Sequence, residues 1–185
     1  MKKLDQFRTH CCSNSFILSI GIIAVSLGTI GCSTSPEKRP SPLKTDSTLI
    51  GQNKLFVEYS SPSVRQREIF GEGDDFLVPF GKMWRTGAND ASLFITSQDI
   101  KLDTFSLPKG KYSLFTIPGE DKWEIIFNKE WDQWGTYNYK DSLDALRIQV
   151  SPEFFDSSQE QMQIFFEEEF LKFRWDNIGW SIWVN

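Results

Sequence analysis

The chain has 185 residues, a formal net charge of −5 and a pI near 5.0. That balance excludes a nucleic-acid-binding surface, which needs Lys and Arg clustered on one face. Hydrophobic residues make up 39% and aromatics 15%, with 16 Phe and 7 Trp, enough apolar mass for one core and too much for a disordered body.

The first segment reads as an export signal. Lys2, Lys3 and Arg8 precede an apolar run from Phe16 to Ile30 that closes on Gly31 and Cys32. Ser19, Gly21, Ser26, Gly28 and Thr29 dilute the run, which is short for a membrane span of about 20 residues; an uncleaved anchor is the alternative. Thr29-Ile30-Gly31-Cys32 resembles a lipobox, with Thr29 where Leu is usual. We therefore expect a leader over 1–32, lipidation at Cys32 and attachment of an exported protein to an envelope membrane through that lipid. Cys11 and Cys12 lie in the leader, so the body holds no disulfide. Residues 33–48, rich in Ser, Thr, Pro and charge, read as a tether that reaches about 50 Å when extended. Residues 49–185 are expected to form one domain.

Within that body, short strand-like runs alternate with Gly, Pro, Asn and Asp. Strands are predicted from Leu55 to Tyr59, Arg67 to Phe70, Leu93 to Thr96, Ile100 to Leu102, Tyr112 to Ile117 and Trp123 to Phe127. Further ones run from Leu146 to Val150, Gln161 to Phe166, Phe170 to Trp175 and Trp180 to Val184. Met162, Ile164 and Phe166 alternate with Gln161, Gln163 and Phe165, which marks a buried face. Leu107-Pro108-Lys109-Gly110 reads as a turn, and Asn177 to Gly179 as a hairpin connection. Single helical turns are expected over 132–137 and 141–145. Together these predict an all-β, antiparallel β-sandwich, with a jelly roll as one variant.

The only histidine, His10, lies in the leader, so the domain lacks the usual base near neutral pH and the common ligands of zinc. We expect no metal and no cofactor. Asp74-Asp75 lacks the spacing of a calcium loop, and Gly71-Glu72-Gly73 lacks that of a phosphate loop. Glu167-Glu168-Glu169 sits between two predicted strands and reads as a solvated loop.

Three stretches carry side chains suited to binding. The first, from Tyr59 to Arg67, offers Tyr59, Ser61 and Arg67; its bland reading is a loop capped by its own side chains. The second runs from Gly81 to Asp90 and gathers Trp84, Arg85 and Asn89, a set able to grip a carboxylate or a sugar. Its bland reading has Arg85 satisfying backbone carbonyls, Trp84 in the core and Gly87 at positive φ. The third, Trp131-Asp132-Gln133-Trp134-Gly135, offers Gln133 and Trp134 as an aromatic platform with an amide, or two rings plugging one end of the sandwich.

These stretches also carry a family likeness. Tyr59 to Arg65, Val78 to Asn89, Leu107 to Gly119 and Asp132 to Gly135 make the chain resemble a bacterial family catalogued as domain of unknown function 2911, over about residue 55 to the C-terminus. The resemblance implies an exported, single, β-rich domain and no particular activity. Asp90 stands where Glu is common, Phe80 where Tyr is common, and Glu72 to Phe76 looks like an insertion. The expected function is a noncatalytic envelope module for a small polar ligand, a glycan or an envelope partner. The alternatives are a hydrolase or lyase using carboxylates and Arg on the sandwich rim, and a purely structural domain.

Overall fold

The computed structural model describes residues 40–185, so the leader, Cys32 and the first part of the tether lie outside the described residues. The chain forms β1 (Leu43–Ile50), β2 (Asn53–Ser60), β3 (Phe70–Gly71), β4 (Val78–Pro79), β5 (Ser92–Thr96), β6 (Ile100–Leu102) and β7 (Phe105–Leu107). It continues through β8 (Gly110–Ile117), β9 (Trp123–Asn128), β10 (Asp144–Val150), β11 (Glu153–Glu167) and β12 (Phe170–Trp183). Six strands make one antiparallel sheet in the order β1-β2-β5-β8-β9-β10. Each strand lies beside the next in-sheet strand of the chain, a meander rather than the Greek-key crossing of a jelly roll. The long β11–β12 hairpin supplies the facing layer, and the short β6–β7 pair joins its end through bonds between Lys101 and Asn185. The fold is thus an open all-β sandwich.

The core follows from alternation along the strands. Leu55, Val57 and Tyr59 of β2, Phe94 of β5, Leu114 of β8 and Trp123, Ile125 and Phe127 of β9 point to one buried cluster. Met162, Ile164, Leu171, Phe173 and Trp175 complete it from the hairpin. Aromatic rings fill one end: Trp84 stacks on Trp175 with centroids 5.7 Å apart, and Phe70 meets Trp84, Trp123, Phe173 and Trp175 edge-on. Such pairs contribute about 0.5–1.5 kcal/mol each beyond the area they bury. A smaller cluster of Ala91, Phe115 and Ile126 sits on the outer face under Met83 and Tyr139.

The structure corrects several expectations. The domain begins before residue 49: Leu43 to Thr48, assigned to the tether, lie in β1 and pair in register with β2. Their polar composition hides a strand because an edge strand is held by its ladder and by two polar contacts. The Lys44 ammonium donates to Gln161 Oε1 at 2.9 Å, and Phe166 N donates to Asp46 Oδ2 at 2.7 Å. From Arg67 to Phe70 only Phe70 is in a strand, because Arg67 is bent back on its own loop. The two last predicted strands are one, and Asn177 to Gly179 lie inside it. Gly179 is needed there for close approach, since a Cβ would stand 2.5 Å from the Phe173 carbonyl oxygen. The hairpin turn is instead at Glu167 to Phe170, with Glu168 at φ +54°. Of the two helical turns, only Asp141–Leu143 forms, as a 3₁₀ turn.

Candidate functional site

The loop after β2 is stitched to β11. Ser61 Oγ donates to Met162 O at 2.7 Å, Met162 N to Pro62 O at 2.9 Å and Val64 N to Glu160 O at 2.8 Å. Tyr59 and Ser61 are consequently inside the fold, and burial raises the Tyr59 phenol above its ordinary pKa. Past them the chain turns through two consecutive left-handed residues, Arg65 at φ +49° and Gln66 at φ +58°. Arg67 then closes the loop, its Nε donating to Val64 O at 3.1 Å and its Nη2 to Ser63 O at 2.6 Å.

The second stretch crosses above the inner sheet. Trp84 and Thr116 exchange backbone hydrogen bonds of 2.8 and 2.9 Å, which turns the Trp84 ring into the core, where its Nε1 donates to Gly87 O at 2.9 Å. Thr86 follows at φ +50°, a left-handed conformation uncommon for a β-branched residue, fully buried and held by Ser92 Oγ donating to its carbonyl at 2.7 Å. Asn89 is left-handed too, at φ +59°, and its Nδ2 reaches Ser60 Oγ at 3.2 Å. Gly87, expected at positive φ, is not among the left-handed residues; a Cβ on it would meet Ser60 O and Ser92 Oγ at 3.0 Å each.

The two stretches frame one cavity of about 260 Å³ whose wall includes Ser63, Arg65, Arg67, Arg85, Trp84 and Trp175. Three arginines contribute to that wall and no Asp or Glu does. The Trp175 indole N–H is buried without a hydrogen-bond partner among the described residues. So is Arg85 Nε; the arginines of this wall that cap backbone carbonyls are Arg67 and Arg65, whose Nη2 donates to Pro40 O at 3.2 Å. Burial lowers the Arg85 pKa, while the Tyr137 hydroxyl and the Asp90 carboxylate act on it in the opposite direction. Three guanidinium groups with no carboxylate among them give the wall a positive character, the complement of a carboxylate or phosphate.

The third stretch docks on the second from the other side. Ala91 N donates to Gln133 O at 3.0 Å, Gly135 N to Asn89 O at 3.1 Å, and Asp90 bridges Trp134. Gln133 is buried, its Nε2 donating to Glu130 O at 2.6 Å while its Oε1 has no partner among the described residues. Its two tryptophans do not plug the sandwich. Trp131 is 41% and Trp134 58% exposed.

These loops coincide with the residues of a family. A model described as "Protein of unknown function (DUF2911)" matches residues 41–184. The chain belongs to the DUF2911 family. No curated protein and no solved structure matches it. The DUF2911 match begins two residues ahead of β1, in agreement with the earlier start of the domain.

Of the residues singled out by sequence, the fold brings Arg67, Trp84 and Arg85 to one cavity, and places Gln133 and Trp134 on an adjoining turn that docks on Asn89 through Gly135 N. Trp175 was not foreseen in this DUF2911 chain. Trp175 shares the inward phase of Leu171 and Phe173 along β12, a signal for burial that says nothing of a free N–H. Among the described residues, no group of three or more His, Cys, Asp or Glu is placed to hold a metal.

Proposed function

We propose that this DUF2911 domain is a noncatalytic binding module that takes a small carboxylate or phosphate ligand between Arg65, Arg67 and Arg85. It is carried on an exported protein held at the cell envelope by a lipid on Cys32. The observation that supports the reading is the cavity wall: three guanidinium groups, no carboxylate, and a buried indole N–H with nothing to donate to. The rims add support. Among the described residues, four of the seven non-glycine residues at positive φ, Arg65, Gln66, Thr86 and Asn89, lie on the two loops that frame it, and strain of this kind gathers at binding sites. The alternative of a hydrolase or lyase that pairs a carboxylate with Arg gains no support from this wall, which carries no Asp or Glu.

The test is calorimetry of the full chain in detergent with citrate and with inorganic phosphate. Binding that weakens as salt rises and falls at least about tenfold in Arg65→Ala is expected. No heat with either anion, or binding indifferent to Arg65, overturns the reading. For the anchor, labelled palmitate is expected to enter the wild-type chain and not Cys32→Ala; equal labelling of the two refutes lipidation there.

A further inference from the structure

The turn after β9 carries an aromatic surface of its own. Tyr137 is 79% exposed and Trp134 58%, yet their rings lie parallel, 3° apart, with centroids 5.4 Å from each other. Exposed side chains ordinarily sample several rotamers, so holding two in register costs conformational entropy that something must offset. The backbone beneath them is shaped for the pose. Gly135, at φ +65°, lies between them, and a Cβ there would stand 2.9 and 3.0 Å from two Tyr137 ring carbons. Glycine alone lets the tyrosine ring lie down over the turn. The turn is itself fastened by Gly135 N donating to Asn89 O and by the Asp90–Trp134 bridge. Trp131 is not part of this surface, because the Lys111 ammonium covers its ring at 4.3 Å from the centroid.

We propose that Trp134 and Tyr137 form a carbohydrate platform that stacks on the apolar face of a pyranose ring. A pyranose presents C–H groups on its face and hydroxyls at its rim, and the surroundings of the two rings match both. Asp132, Asn138 and Lys140 stand exposed around them, supplying acceptors and donors at the edge. Rigid aromatic rings give large contact area at low entropic cost, which suits a shallow site open to one end of a chain. The platform uses none of the arginines of the cavity, so its fate and that of the anion site can be read separately.

The experiment titrates cellohexaose, chitohexaose and a polygalacturonate hexamer into the full chain in detergent, by calorimetry. At least one is expected to bind, with Trp134→Ala weakening it about tenfold or more, as stacking on one aromatic ring allows. Gly135→Ala, which keeps both rings but strains the turn at φ +65° and displaces Tyr137, is expected to weaken it severalfold, while Arg65→Ala leaves it unchanged. Trp134 is exposed and outside the core, so its removal leaves the fold in place, and the far-ultraviolet dichroism of each variant checks it. Failure of all three oligosaccharides to bind the natively folded wild type overturns the platform. So does binding that Trp134→Ala leaves intact, or that Arg65→Ala abolishes, since the sugar would then sit in the cavity.

Discussion

Replacing Arg85 by methionine is expected to make the ligand-free protein more stable. Arg85 Nε is buried with no partner, and burial depresses the pKa of its guanidinium, so the folded state holds this charge at a cost. A buried donor left without a partner costs about 1–3 kcal/mol, and the lower end applies because the side chain is only half-buried. Methionine keeps most of the stem that covers apolar neighbours, so little packing is lost with the charge. The net expectation is a gain of about 1 kcal/mol, read by urea unfolding of the unit from Thr34 to Asn185 as a higher midpoint with an unchanged slope. Adding an anion should reverse the order. At a hundredfold excess over its dissociation constant the ligand stabilises the wild type by about 2.7 kcal/mol and the variant by less. A loss of about 2 kcal/mol or more in Arg85→Met without ligand would refute the reasoning, because it would mean that the guanidinium satisfies buried groups after all.

Three further outcomes follow from the same geometry. Trp175→Phe removes the orphaned N–H while keeping a ring against Trp84, and is expected to weaken anion binding by about tenfold or more, the worth of one hydrogen bond to a charged group; unchanged affinity in calorimetry would exclude the indole from the site. Tyr139 has its pKa pushed up to about 12, first by burial and then by its hydrogen bond to Asp144, against an ordinary value of 10.0. A pKa raised on folding contributes stability that is full below pH 10.0 and lost as pH rises through about 12, so unfolding free energies across that window should fall more steeply in the wild type than in Tyr139→Phe; parallel curves would refute it. Gly179→Ala should cost about 1–3 kcal/mol in urea, since the new methyl meets the Phe173 carbonyl oxygen and the Phe155 ring; a neutral substitution would mean that β12 bends more freely than its backbone shows.

What could be read in advance was whatever repeats with a period or obeys turn chemistry. Met162 and Ile164 announced the buried face of β11 by alternation, and Leu107 to Gly110 announced the turn between β7 and β8. The misreadings share a cause: local signals were outvoted by long-range pairing. Leu43 to Thr48 look like linker until β2 supplies a ladder. Asn177 and Gly179 look like a second hairpin, yet β12 runs on through them with Asp176 at positive φ within the strand, while the hairpin closes at Glu168, in the acidic loop read between two strands. At the site, the residue types were legible and their roles were not. Arg67 and Arg85 differ little in sequence context, and only the fold shows that one bonds its own loop while the other keeps a buried nitrogen unpaired.

That division of labour explains how the cavity is kept open. Its wall draws on both layers, with Trp84 and Arg85 from the chain over the six-stranded sheet and Trp175 from the hairpin. Stacking of Trp84 on Trp175 fixes the distance between those layers, and the Trp84 N–H is already committed to Gly87 O. The rim loops cannot relax inward to reach the free Trp175 N–H, because Ser61 and Val64 tie one of them to β11 and Ser92 and Thr116 tie the other to the sheet. A space held apart by packing on one side and by hydrogen bonds on the other is preorganised, and the anion proposed for it bears little of the ordering cost that usually weakens small-ligand binding.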